Sequence, residues 1–445
     1  MGADPWTLVR DRVRQTLAGV ETTARYGFVT RCSGEVITCT DLQVPIGTRC
    51  VVTGEAGEIG AEVVGFDDSA VMLMAERTAK GIRRGDRVRA THAATLAAVG
   101  DALLGRVLDA YGDPLDELGP IGETGRWPLA GMSVNPMTRA RIAEPFDIGV
   151  RAINGITTLA RGMRVGLFAG SGVGKSSLLG MATRHSEADR VVVAMIGERG
   201  REVREFIEDH IGEARKRTVV VVSAADSPPL ARVAGAWRAA AIAEEFRSRG
   251  MQVLFLVDSL TRFAMAGREI GLAIGEPAAS KGYPPSVFGQ LAALVERAGA
   301  GAEGEGTITA LYTVLVEADD HLGDPVADAA RSVLDGHIVL SRRQSEAGIY
   351  PPIEVSMSLS RPMDSVVSKE HAALARRFRL LWSRLQEKRE LVDIGAYAPG
   401  RDPLFDDALA RAGAMEAYVR QDTARKVPLL EAVNALRVAV AEPTS

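Results

Sequence analysis

A glycine-rich stretch near the middle of the chain constrains the fold more than any other feature. The apolar segment Arg164–Ala169 has the composition of a buried strand, residues 170–176 (GSGVGKS) follow it, and the next residues have helical spacing. Glycines allow a backbone to curl so that successive N–H groups point at phosphate oxygens, and a helix start adds free N–H groups and a positive dipole end. This order predicts a phosphate-binding loop between a strand and a helix.

Each residue type in this loop has a chemical use. Lys175 can reach the β- and γ-phosphates of a nucleoside triphosphate, and the Ser176 hydroxyl can coordinate Mg²⁺. The usual pattern of such phosphate loops begins with glycine, and this chain has Ala169 at that position. The additional methyl group lies outside the phosphate cradle. The predicted nucleotide-binding residues are Gly170, Ser171, Gly172, Val173, Gly174, Lys175, Ser176 and Ser177.

Two apolar strands end in carboxylates that could complete a phosphoryl-transfer site. The segment MQVLFLVD ends at Asp258, whose carboxylate would emerge beside the loop and hold the metal ion. The segment RVVVAMIGE ends at Glu198, at the sheet edge where ligands bind in open α/β folds, and could polarise a water molecule. Taken alone, each could also be an ordinary turn residue, and Glu198 could cap a helix. No module for a second substrate is recognisable, so the pattern favours hydrolysis.

The apolar pattern changes several times along the chain and divides it into four parts. Residues 1–24 predict a short amphipathic segment. Residues 25–95 contain short alternating segments separated by turn residues, which predicts a small all-β barrel or sandwich. Residues 96–368 alternate strands with helices, which predicts βαβ units and a mostly parallel sheet. Residues 369–445 are predicted to be helical.

Two further stretches carry weaker expectations. The glycine-rich residues 298–306 predict an exposed flexible loop. Residues 371–391 hold six Lys or Arg against two Glu, which is compatible with either a solvated helix face or a binding surface.

Composition excludes several classes of protein. The 53 basic and 57 acidic residues leave a net charge of −4, unlike a strongly basic nucleic-acid binder. No run of about 18 apolar residues occurs, and the N-terminus lacks the apolar core of a signal peptide. The three cysteines match no zinc or redox spacing. We therefore expect a cytoplasmic protein with reduced thiols.

Several ordered motifs resemble those of the flagellum-specific type III export ATPases, which belong to the F/V-type rotary ATPase alpha/beta superfamily. Virulence-type injectisome ATPases are the alternative resemblance, and an F-type ATP synthase catalytic subunit is a weaker one, because the helical tail lacks the acidic lever segment of such subunits. The motifs are FAGSGVGKS, IGERGREVREF, LFLVDSLTRFAMAGREIGLAIGEP, KGYPPSVF, LVERAG, LDGHIVLSR and IYPPIEVSMSLSRPM.

The resemblance implies an α/β fold with a RecA-like P-loop core, an N-terminal β-barrel and a C-terminal helical domain. It implies Mg²⁺-dependent ATP hydrolysis with Glu198 as the catalytic carboxylate and Arg199 as its neighbour in the site. Arg361 is similar to the arginine finger that one subunit supplies to the next, and Tyr350 to the aromatic residue that packs on adenine. A guanidinium can spread positive charge over the reacting phosphoryl oxygens.

The resemblance also implies partners. We expect a homohexamer with active sites between subunits, a stator-like regulator (FliH), a stalk protein (FliJ), export substrates with chaperones, and the export gate at the inner membrane, with no nucleic acid. The amphipathic segment 1–24 is the place where we expect the regulator to bind.

Two other functions stay open at this point. A non-catalytic nucleotide-binding subunit of a rotary ring is disfavoured by Glu198, because such subunits generally lack a carboxylate there. A RecA-like nucleic-acid motor is disfavoured by the near-neutral charge and by the absence of an aromatic and basic stacking motif in the N-terminal part.

Overall fold

A computed structural model describes residues 25–55, 57–67, 70–91, 96–316 and 323–441, in two compact units, 1–94 and 95–445. The predicted amphipathic segment 1–24 lies outside the described residues. Within the described ranges, no helix combines the length and the apolar character that a membrane crossing requires.

The first unit is a closed antiparallel barrel with the strand order β1-β2-β5-β4-β3-β6. Its strands are β1 (Tyr26–Ser33), β2 (Val36–Thr40), β3 (Arg49–Gly54), β4 (Gly57–Phe66), β5 (Val71–Ala75) and β6 (Arg87–Ala90). Side chains alternate between the barrel interior and the outside, and Ile37, Val52 and Leu73 are fully buried inside. Closure removes the unpaired strand edges that an open sheet would expose. The barrel is the alternative that the structure selects over a sandwich.

The second unit is built on a nine-stranded sheet with the order β19-β18-β12-β17-β15-β13-β14-β8, and β16 pairs with β17 beside it. The strands from β18 to β8 pair in parallel, whereas β19 and β16 are antiparallel to their neighbours. The strands of this unit are β7 (Leu96–Val99), β8 (Val107–Asp109), β9 (Gly125–Pro128), β10 (Pro145–Phe146), β11 (Leu159–Ala160), β12 (Arg164–Ala169), β13 (Arg190–Glu198), β14 (Thr218–Ala224), β15 (Gln252–Asp258), β16 (Gly299–Ala300), β17 (Thr307–Leu315), β18 (Gly336–Val339) and β19 (Leu359–Ser360).

Helices cover both faces of this sheet and continue to the C-terminus. They are α1 (Arg151–Ile156), α2 (Lys175–His185), α3 (Gly200–Glu205), α4 (Pro229–Ser248), α5 (Leu260–Ala273), α6 (Pro285–Glu296), α7 (Pro325–Val333), α8 (Arg342–Glu346), α9 (Met363–Val366), α10 (Lys369–Asp393), α11 (Pro403–Ala410), α12 (Ala412–Val419) and α13 (Leu429–Val440). A π-helical segment, Phe206–Ile211, and three 3₁₀ turns complete the unit. The predicted α/β architecture with an N-terminal barrel and C-terminal helices is confirmed.

The strands of the sheet are almost continuously apolar because both faces are buried. Successive residues of β13 enter different cores: Val191 and Val193 face one hydrophobic cluster, and Val192 faces the other. The first cluster also contains Phe378 and Trp382 of α10. The C-terminal helices therefore share a core with the sheet and with α2.

The glycine-rich residues 298–306 differ from the expectation of an exposed flexible loop. Gly299 and Ala300 are buried in β16, and only residues 303–305 are exposed. A Cβ atom at Gly306 would lie 1.9 Å from the Met251 carbonyl oxygen. These glycines serve close backbone packing, so the prediction of an exposed flexible loop was wrong for most of the stretch.

The basic side chains of α10 mostly bind other parts of the second unit. Arg384 and Lys388 both form ion pairs with Asp402, and Arg389 pairs with Glu416. These pairs favour a solvated structural face over a dedicated binding surface.

Candidate active site

The phosphate loop leaves the end of β12 and leads directly into α2. Gly172 and Gly174 have φ angles of 76° and 91°, a left-handed conformation that favours glycine. Helix α2 begins at Lys175, and no side chain caps its N-terminus. The backbone N–H groups at this helix start are therefore available to an anion.

Three charged side chains converge beside the loop. The Lys175 Nζ atom lies 2.6 Å from Asp258 Oδ1 and 3.2 Å from Glu198 Oε1. Both carboxylates are buried, at 3% and 6% exposure respectively. They meet because β13 and β15 are neighbouring parallel strands that end at the same edge of the sheet, where β12 also ends.

Burial and pairing set the protonation of this cluster. Burial works against the charged form of Lys175, but the ion pairs with Asp258 and Glu198 outweigh it and raise the pKa of the ammonium group. Burial also raises the pKa of the Asp258 carboxyl, and the nearby Glu198 adds to this, whereas Lys175 and a hydrogen bond from Thr313 oppose it. Lys175 thus remains charged and supplies the positive charge that the two carboxylates need.

A bulge at the end of β13 directs Glu198 toward the cluster. The register between β13 and β14 shifts between Ile196 and Glu198, so that Gly197 is the extra residue. Gly197 has a φ of 72°, and a Cβ atom there would lie 2.8 Å from Arg262 Cβ. Only glycine fits this position without a shift of the strand end that carries Glu198.

We therefore expect Gly197→Ala to impair turnover. The added methyl group would strain the backbone by about 1–2 kcal/mol and would push against Arg262. A displacement of Glu198 by about 1 Å can cost a factor of 10² in rate, so steady-state phosphate release should fall at least about tenfold. Gly200→Ala is the matched control, because no atom lies within 4 Å of its Cβ position. Equal rates for both variants would contradict the role of the bulge.

Tyr350 lies beside the phosphate loop. A Cβ atom built on Gly174 would be 3.8 Å from Tyr350 Cε1, and the Tyr350 hydroxyl is 3.0 Å from Ser345 Oγ. The Tyr350 carbonyl accepts a hydrogen bond from the Gln421 N–H at 2.8 Å. Tyr350 is 46% exposed, so it is accessible to a base. A pocket of about 270 Å³ adjoins it, lined by Arg151, Gly348, Tyr350, Arg420, Gln421, Asp422 and Arg425.

Arg361 lies at the other end of the parallel strands from the phosphate loop, near the first residues of β12 and β18. It follows β19, which pairs with the first residues of β18. Its N–H donates to the Asp335 carbonyl at 3.1 Å, and the Asp335 carboxylate accepts from the Arg164 N–H, at the start of β12, at 2.9 Å. The loop follows the other end of β12, roughly 17 Å away at about 3.3 Å per residue. One chain therefore does not bring Arg361 to its own Lys175.

Arg199 follows Glu198 but is not drawn into the charged cluster. Its guanidinium lies 3.6 Å from the Glu202 carboxylate on α3, and the side chain is 77% exposed. In this conformation the exposed guanidinium is oriented along α3.

Two residues that touch the site were not predicted from the sequence. The Thr313 hydroxyl lies 2.7 Å from Asp258 Oδ1, and the Arg342 guanidinium lies 3.4 Å from the Ser171 carbonyl oxygen. A polar residue within the apolar strand β17 was the available signal for Thr313. No local signal marks Arg342, because its approach to the loop depends on the pairing of β18 with β12.

Comparisons with known proteins identify the family. Residues 149–360 match the ATP synthase alpha/beta family, nucleotide-binding domain, and residues 367–438 match the T3SS EscN ATPase C-terminal domain. A relative named flagellum-specific ATP synthase from Salmonella typhimurium is 48% identical, over 97% of each chain. Its namesake from Pseudomonas aeruginosa is 51% identical over 89% of this chain and 88% of that protein.

Solved structures agree with this assignment. The assembled ATPase EscN from the enteropathogenic E. coli type III secretion system is 38% identical with a TM-score of 0.88, and the match covers 93% of this chain and 100% of EscN. The same ATPase in complex with its central stalk EscO matches with a TM-score of 0.85 over the same shares of both chains, at the same identity. The chain is therefore an ATPase that belongs to the flagellum-specific and type III secretion ATPases of the ATP synthase alpha/beta family.

Proposed function

We propose that the protein hydrolyses ATP with Mg²⁺ and that this hydrolysis serves flagellar type III protein export. The observation that carries the catalytic part is the convergence of Lys175, Asp258 and Glu198 beside an uncapped helix start. The loop supplies N–H donors for the phosphates, and Lys175 supplies a cation that can turn from the carboxylates to the phosphate oxygens.

The residues present suit a magnesium ion. Mg²⁺ prefers oxygen ligands and is usually held by one or two protein side chains together with phosphate oxygens and water. The Ser176 hydroxyl, in the first turn of α2, and the Asp258 carboxylate, at the end of β15, are oxygen donors beside the loop. When bound there, Mg²⁺ would neutralise charge on the phosphates.

Glu198 is the residue that we assign to the water molecule. Its carboxylate is buried at the end of β13, and among the described residues Lys175 is the side-chain donor that binds it. When Lys175 turns to the phosphates, Glu198 becomes free to accept a proton from water and to orient it for attack.

The position of Arg361 favours an active site that two subunits share. Because Arg361 lies at the edge opposite the loop, it can approach a nucleotide only on a neighbouring copy of the chain. A ring of copies in head-to-tail contact places one such edge against the next loop. The similarity to assembled EscN supports this ring, for which we propose six subunits. Arg199, next to Glu198, and Tyr350, against adenine, complete the site that we propose.

Flagellar export is the pathway that the relatives favour. Two flagellum-specific relatives are 48% and 51% identical to this chain, whereas two relatives named type 3 secretion system ATPase are 44% and 42% identical. We propose a cytoplasmic protein that works at the inner-membrane export gate with a stator-like regulator (FliH), export substrates and their chaperones. EscN binds a central stalk, EscO, and we propose a stalk protein (FliJ) in the equivalent role here.

The pathway can be tested in a strain that lacks its own flagellar export ATPase. Restored motility would support flagellar export, and restored effector secretion without motility would favour an injectisome.

Lys175→Ala should weaken nucleotide binding strongly. The change removes a charge-assisted contact to the phosphates, worth about 1.5–3 kcal/mol, and leaves two buried carboxylates facing the anion. We expect the dissociation constant of a fluorescent ATP analogue to rise about 10- to 100-fold, with phosphate release lost. Lys216→Ala is the control, because Lys216 is a surface residue paired with Glu213. Unchanged binding by Lys175→Ala would show that the loop does not hold the triphosphate.

A further inference from the structure

A buried hydroxyl group lies next to the carboxylate that we assign to the metal ion. Thr313 is fully buried on β17, which pairs with β12 on one side and with β15 on the other. In the register, Thr313 is opposite Leu167 of β12, and Tyr312 is opposite Val257, the residue before Asp258. Thr313 therefore lies between the strand that enters the phosphate loop and the strand that ends in Asp258.

The hydroxyl and the ammonium group bind the same carboxylate oxygen. Thr313 Oγ1 lies 2.7 Å from Asp258 Oδ1 and 3.2 Å from the Val257 carbonyl oxygen. A hydroxyl donates one proton, and the shorter distance and the negative charge favour the carboxylate as its acceptor. Lys175 Nζ reaches the same Oδ1 atom at 2.6 Å. Both hydrogen bonds that the Asp258 carboxylate accepts within the described ranges thus end on Oδ1, which leaves Oδ2 for another ligand.

We propose that Thr313 is a positioning residue that fixes the Asp258 carboxylate for Mg²⁺. This inference rests on the proposed function, in which Lys175 turns from Asp258 to the phosphates when a nucleotide binds. Thr313 is then the donor that remains on Oδ1 in the described part of the site. Without it the carboxylate can rotate, and its orientation has to be fixed again at each binding event. Loss of such a supporting hydrogen bond typically costs about 10- to 100-fold in metal affinity.

Thr313→Val tests this with little change of shape. The variant keeps the branched side chain but cannot donate a hydrogen bond. We expect the Mg²⁺ concentration that half-saturates binding of a fluorescent ATP analogue to rise about tenfold or more. Binding of the same analogue in EDTA should be unchanged, and Thr313→Ser should restore the Mg²⁺ dependence of the wild type. A general loss of structure would instead weaken binding with and without the metal ion.

Thr309→Val is the matched control on the same strand. Thr309 is also fully buried, and its hydroxyl accepts a hydrogen bond from the Gly162 N–H at 3.0 Å, away from Asp258. Should Thr313→Val fail to fold, as judged by circular dichroism, Thr313→Ala removes the same hydroxyl with a smaller side chain.

The outcomes distinguish a failure of the proposed function from a failure of the positioning role alone. A wild-type chain whose nucleotide binding ignores Mg²⁺ would overturn the proposed function. A Mg²⁺-dependent wild type with an identical Thr313→Val variant would overturn only the positioning role, as would a Thr309→Val variant that raises the Mg²⁺ requirement equally.

Discussion

Glu198→Gln is expected to bind ATP almost normally and to hydrolyse it at least 10²-fold more slowly than the wild type. The amide keeps the size of the side chain but cannot accept a proton from the attacking water, and general-base catalysis typically contributes 10²–10⁴ in rate. The change also removes one of the two negative charges that hold Lys175, so the ammonium group is freer to meet the phosphates. Phosphate release and titration with a fluorescent analogue measure the two effects separately.

Glu208→Gln is the control for this experiment. Glu208 is exposed and pairs with the exposed Arg204, so its loss should leave turnover within about twofold of the wild type, as expected for a surface ion pair. Turnover of Glu198→Gln near the wild-type rate would remove Glu198 from the mechanism and leave Asp258 as the other buried carboxylate within reach of Lys175.

Arg361→Ala should lose about 10³-fold or more in rate, the range measured for arginine fingers that stabilise the transition state from a neighbouring chain. The loss should occur without a change in the affinity of a single chain for nucleotide, because Arg361 and Lys175 lie at opposite edges of one sheet. Arg376→Ala is the matched control, since Arg376 is an exposed residue that pairs with Asp364.

Mixed rings give this prediction its sharpest form. Arg361→Ala subunits retain Lys175, and Lys175→Ala subunits retain Arg361, so a mixture can form complete sites at some interfaces. Random mixing in equal amounts would make about a quarter of the interfaces complete in a head-to-tail ring. We expect activity from the mixture that neither variant shows alone. No recovery in rings whose mixed composition is verified would place the active site within one chain.

The strand ends were the part of the site that local sequence could predict. Glu198 and Asp258 each follow an unbroken apolar run, and the carboxyl ends of parallel strands meet at one edge. The separation of these residues from Lys175 in sequence is therefore no obstacle to their contact. The phosphate loop is equally local, since its glycines, lysine and serine follow one another in the chain.

Other features depend on contacts between distant segments and were not predictable in this way. Thr313 reaches Asp258 only because β17 lies between β12 and β15 in the sheet. In the chain, β17 comes after both of these strands, so its position between them is not apparent from the sequence. The location of Arg361 at the opposite edge follows from the antiparallel pairing of β19 with β18. The glycines at 299 and 306 indicated a flexible loop by composition, whereas the structure uses them for close backbone contact.

The shared core beneath α2 has a mechanical consequence. Leu178 and Leu179 of α2 lie in the same hydrophobic cluster as Phe378 and Trp382, and the backbone of Tyr350 is tied to Gln421. Because close-packed interiors resist compression, we expect a rearrangement of the loop or of the tyrosine to displace the C-terminal helices. The position of these helices would then depend on whether a nucleotide is bound, although they lie outside the phosphate loop itself.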